Sequence, residues 1–106
     1  MTIAFKNASA SILTTDTNIY TCPALTSAVV FTSYFTNVDG ILEVDVTLKL
    51  FDSSGAVTRI LAKDLPVPSG SVLSFGKIAL EEGDILIASS SNVNDIEATV
   101  SILEMS

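Results

Sequence analysis

Two groups of carboxylates are the residues whose type and spacing come nearest to chemistry. Asp39, Glu43 and Asp45 form one, and Glu81, Glu82 and Asp84 form the other. Oxygens of this kind bind calcium in the loops of β-sandwich proteins. Glu43 and Asp45 would share one face of an extended strand, so both could meet a cation there. Neither group has the spaced Asp/Asn pattern of an EF-hand loop. Acidic residues beside Gly40 and Gly83 also serve as solvated turn formers, and that reading is the stronger one. No metal and no cofactor is expected.

Other chemistry has less footing. The chain has no His, and its one cysteine, Cys22, precedes Pro23 with no basic cluster nearby. The usual general bases and activated nucleophiles are therefore missing, and Cys22 reads as a buried, inert thiol. No Gly-rich loop precedes a helix, so there is no cradle for a nucleotide phosphate. The expectation is a protein that is not an enzyme. A sugar site would need exposed rings for stacking. The chain has no Trp, and only Tyr20 and Tyr34 offer a ring with a polar tip.

The elements that would position these residues are strands. Leu42 to Asp52 alternates apolar Leu42, Val44, Val46, Leu48 and Leu50 with Glu43, Asp45, Thr47, Lys49 and Phe51. A period of two predicts a strand with one face in a core. Ser27 to Asn37 is a second strand, rich in β-branched and aromatic residues. Its odd-numbered face (Val29, Phe31, Ser33, Phe35) is the more apolar and is expected inward. The turn Asn37-Val38-Asp39-Gly40 then makes residues 27–51 an expected antiparallel hairpin, with Gly40 suited to a positive φ.

Weaker strands are expected at 19–22, 57–63, 71–80, 85–89 and 96–103. Gly76 marks a bulge in the third of these, and residues 65–70 are an extended loop. Residues 1–18 read either as a short strand or as an arm. The count of seven or eight strands, with no amphipathic helix, predicts a single all-β domain over residues 1–106. The fold class is an antiparallel β-sandwich, Ig-like or jelly-roll.

Composition points to contacts rather than catalysis. The 106 residues are 48% hydrophobic and only 16% charged, below the roughly 25% charged of a typical soluble domain. Mean hydropathy is +0.56, yet no apolar run approaches the roughly 20 residues that span a bilayer. The first residues, MTIAFKNASASIL, lack the basic and long apolar regions of a signal peptide. A net charge of −7, with five scattered Lys and Arg, argues against direct nucleic-acid binding. Alternation sends Val30, Tyr34, Phe51 and Leu103 outward, and these four are the candidate interface residues. Either a second sheet or a neighbouring subunit would cover them.

Several short pieces recur in a familiar order. Ile19-Tyr20-Thr21-Cys22-Pro23-Ala24 is followed by the Asn37–Gly40 turn, Asp52-Ser53-Ser54-Gly55, Val67-Pro68-Ser69-Gly70 and Leu80-Glu81-Glu82-Gly83-Asp84-Ile85-Leu86. Over residues 19–103 the chain resembles the small all-β virion proteins of tailed bacteriophages. Cys22, where an aliphatic residue is expected, and Leu25, where a glycine is common, depart from that pattern. The resemblance implies a structural role without catalytic residues. The leading expectation is a capsid decoration protein that assembles as a homo-oligomer, a trimer by preference, and binds the major capsid protein. It would be located in the virion after assembly in the host cytoplasm. A neck, tail or fibre component, or a carbohydrate- or cell-surface-binding module, is the alternative.

Overall fold

The computed structural model describes every residue from Met1 to Ser106. It contains nine strands and no helix: β1 (Ile3–Ile12), β2 (Thr17–Thr21), β3 (Ser27–Asn37), β4 (Val44–Asp52), β5 (Val57–Val67), β6 (Val72–Phe75), β7 (Ile78–Leu80), β8 (Ile85–Ser90) and β9 (Ile96–Met105). One sheet has the order β1-β9-β3-β6, with β7 also paired to β3, and the other has the order β2-β8-β4-β5. All pairings are antiparallel. Apart from the β4–β5 hairpin and the broken β6–β7 strand, successive strands change sheet. That order is the jelly roll rather than the Ig-like sandwich. Strands of ten and eleven residues set the 46 Å long axis, at about 3.3 Å per residue.

The core lies between the sheets. Val44, Val46 and Leu48 of β4 are buried, as their alternation predicts, and Leu86, Val100, Ile102 and Phe35 join them in the core. Leu42, expected in the same row, precedes the strand and is 51% exposed. Full burial of each such side chain contributes about 1.5–3 kcal/mol. Phe35 and Phe75 pack edge to face at 5.8 Å and 80°, a geometry that adds about 0.5–1.5 kcal/mol.

Residues 27–51 are not a hairpin. β3 and β4 belong to different sheets, because both carry a buried row and each needs the other sheet opposite it. Their connection crosses the end of the sandwich. Asp39 holds it by accepting hydrogen bonds from the Ile41 and Leu42 amides at 2.8 and 3.2 Å. Buried Asn37 donates from Nδ2 to the carbonyls of Leu42 and Val67 at 2.8 and 2.9 Å. These side chains do the turning, and Gly40 does not adopt a positive φ.

A bulge overturns the expected facing of β3. Val30 pairs with Ile102, but Thr32 pairs with Ser101, so Phe31 is the extra residue. A single inserted residue flips the alternation. Ala28 and Val30 face inward before the bulge, and Ser33, Phe35 and Asn37 face inward after it. Val30 is therefore a core residue with 0% exposure, and Phe31 points outward.

The first residues are a strand, not an arm. β1 pairs with β9 in unbroken register from Ile3–Met105 to Ile12–Ile96. Backbone hydrogen bonds between Thr2 and Ser106 prolong the ladder. Gly76 and Lys77 break the expected 71–80 strand into β6 and β7. The expected 65–70 loop instead begins as the last turn-free part of β5, where Pro66 sits at a sheet edge that needs no donor from it.

Candidate functional site

The second acidic group gathers at one end of the sandwich. Asp84, 4% exposed, precedes β8 and folds back on its own turn. Its Oδ1 accepts from the Ser53 amide and the Ser53 hydroxyl, both at 2.9 Å, and its Oδ2 accepts from the Glu81 amide at 2.9 Å. Burial works to raise its pKa, but these three donors outweigh burial and hold it below the usual carboxylate range. Gly83 completes the turn with φ of +83°, and an added Cβ there would lie 3.0 Å from the Ser53 Cβ. Only glycine fits both demands.

The structure adds Asp52 to Glu81 and Asp84, with ligand atoms within 4.8 Å of one another. Glu82 instead accepts from the Leu25 amide at 2.8 Å. The Asp84 oxygens are committed to donors that lock β8 to the β4–β5 turn, which is the work of a turn clamp. Asp39, Glu43 and Asp45 do not converge as a ligand set. The Ile41 amide, then the Leu42 amide, hold Asp39 below its ordinary pKa.

A polar cluster that sequence reasoning missed lies between the sheets. Glu104 of β9 is 8% exposed. The Tyr20 hydroxyl of β2 donates to its Oε2. The Lys6 ammonium of β1 lies 2.9 Å from its Oε1. Burial, then the bond to Glu104, pushes the Tyr20 phenol above its ordinary range. The Tyr20 bond, then Lys6, holds Glu104 below its own. A signal for it was present: the inward row Ile96, Ala98, Val100, Ile102 continues to Glu104, and an acid in such a row requires a partner. Tyr20 is thereby engaged as a cross-sheet tie. Cys22 is 1% exposed and contacts the Thr26 carbonyl at 3.3 Å, and burial raises its pKa.

The four interface candidates separate. Val30 is in the core. Tyr34, 44% exposed, lies on the outer face of the first sheet. Leu103 is half-buried on the same face, between Phe5 and Val29. Phe51 is half-buried on the outer face of the other sheet, opposite Ile85.

The structure adds Phe5, 78% exposed, whose ring stacks on Phe31 with centroids 6.4 Å apart and planes at 21°. With exposed Ile3 and half-buried Val29, Leu103 and Met105, they make an uncharged apolar surface across β1, β9 and β3. Beside it, Phe5, Lys6, Asn7, Phe31 and Ser101 line a shallow hollow of about 270 Å³. The periodicity could not reveal this surface, because the Phe31 bulge decides which way the ring points.

The nine strands make a jelly-roll β-sandwich with turn-bound carboxylates and an apolar outer face on its first sheet. No family model and no curated protein matches the chain. Among solved structures it is similar to one from Bacillus endospore appendages, a family of disulfide-linked pili. The TM-score is 0.57 at 14% identity, over 97% of this chain and 84% of that one. The likeness is one of fold.

Proposed function

We propose that the protein is a non-enzymatic structural subunit that assembles with copies of itself into a fibre-like polymer. The observation that carries this is the uncharged apolar surface of Ile3, Phe5, Phe31 and Leu103 on a chain of net charge −7. Exposed apolar patches on soluble folds mark contact surfaces, and subunits with like net charge approach best where neither presents charge. The fold it shares with a pilus protein over nearly its whole length supports the fibre-like form. Cys22 is buried, so residues 1–106 offer no accessible thiol for covalent links. Non-covalent contacts would hold the polymer together. Electron microscopy of the purified protein, with and without reductant, tests the reading. Regular filaments that survive reductant are expected, and a particle that stays monomeric would sink it.

A second reading keeps the phage virion. The pieces behind that resemblance all fall at strand ends and turns of the jelly roll. In that setting the chain would decorate a capsid as a homo-oligomer, with the major capsid protein as partner. Co-sedimentation with phage particles, absent with filaments alone, distinguishes it.

A further inference from the structure

The four sheet edges of this sandwich are unequal. A sheet edge presents unpaired N–H and C=O groups, and proteins guard it with short strands, bulges, proline or charge. β2 is five residues long and slips register between Asn18 and Tyr20. β5 slips twice and carries Lys63, Asp64 at φ of 51°, and Pro66. β6 and β7 are four and three residues, broken at Gly76 and Lys77. β1 has none of these guards. It runs ten residues without a bulge or proline, and it pairs with β9 alone. Its one charge, Lys6, is engaged by Glu104.

We propose that the free edge of β1 is a self-association site, and that its occupant is β1 of a second copy, paired antiparallel about a two-fold axis through Asn7. The partner follows from the guards: a second copy offers no other regular edge of comparable length. The register follows from the side chains. Facing residues must share a sheet face, which limits the axis to alternatives such as Lys6, Asn7 or Ala8. An axis at Lys6 sets two ammoniums opposite each other. An axis at Asn7 sets Lys6 against Ala8, Phe5 against Ser9 and Ile3 against Ser11, large against small. An axis at Ala8 keeps large against small but sets Asn7 against Ser9. Only the axis at Asn7 brings the two Asn7 amides together, each with a free Nδ2, since Ser101 donates to Asn7 Oδ1. A two-fold contact closes at two copies. The first sheet becomes continuous across the pair, and the Phe5 and Phe31 surface of each copy stays on the same outer face, free for the contacts that join pairs into a fibre.

The inference rests on the self-assembly reading and is tested apart from it. Asn7→Lys and Ser9→Lys place charge on an exposed edge and leave the core untouched, with circular dichroism confirming the fold. Analytical ultracentrifugation should show association in the wild type, weakened at least tenfold in each variant. Asn7→Cys should oxidise to a covalent dimer, and Tyr34→Cys, also at an exposed position, should not. Assembly that is unchanged by both lysines overturns the β1 pairing and leaves self-assembly standing. A wild-type chain that is monomeric at about 100 µM, where contacts weaker than about 5 kcal/mol go unseen, overturns both.

Discussion

Phe5 and Phe31 stack above β9, although their own strands are not paired with each other. The rings meet at 6.4 Å because the bulge at Phe31 turns it outward and β9 presents small Ser101 beneath. Replacing both by Ser should leave the fold intact, since neither lies in the core, at a cost of about 0.5–1.5 kcal/mol for the lost aromatic pair. Self-association and binding of a hydrophobic dye should both drop sharply. Sedimentation and dye fluorescence on the double variant check this.

The Tyr20–Glu104–Lys6 cluster makes stability depend on acid. Folding depresses the Glu104 pKa, and that of Asp84 as well. Below the unfolded carboxylate value of about 4.3, the unfolded chain then binds more protons than the folded one. The stability these groups contribute is present above that value and is lost as pH falls through their folded values. Glu104→Gln should flatten the acid limb of a denaturation-versus-pH profile. Tyr20→Phe, which leaves a buried carboxylate oxygen short of a donor, should cost about 1–3 kcal/mol at neutral pH.

Leu25 adopts φ of 56°, and its side chain is 88% exposed. The strain has no packing to offset it. Leu25→Gly should stabilise the protein by up to about 1 kcal/mol, read as a rise in the denaturant midpoint. Gly83→Ala should move the midpoint the other way, because the new Cβ meets Ser53 in a left-handed backbone.

Ser33 Oγ is buried and has no hydrogen-bond partner. Removing an unsatisfied hydroxyl removes its desolvation cost, so Ser33→Ala should raise stability by about 1 kcal/mol. Thermal unfolding of the variant against wild type decides it.

Cys22 should resist thiol reagents in the folded state and react at once in denaturant. Its burial and raised pKa leave little thiolate at the surface. A timed reaction with a chromogenic disulfide measures the contrast.

What was legible in the sequence was what repeats with period two. β4 and β9 show their inner rows directly, and the turns at Asp52–Gly55 and Glu81–Asp84 announce themselves by composition. A bulge leaves no such trace. Phe31 is one residue among eleven, and it reverses the facing of Val30 and of the ring itself. The pairing of β3 with β9 instead of β4 was equally hidden, since its partners run from Asn37 with Ile96 to Ser27 with Met105, far apart in the chain. Glu104 was readable in its row, but its partners lie on β1 and β2, at the far end of the chain.

The β1–β9 ladder also sets the order of events at the ribosome. Of these nine strands β1 leaves the ribosome before all the others, and its partner β9 leaves after them. At about 5–20 residues per second, the least guarded edge of the molecule waits several seconds or more before β9 can cover its other side. During that interval nascent chains on one message carry matching, unpaired strands. Slowing elongation or crowding ribosomes should therefore favour premature entanglement between chains over orderly closure of each sandwich.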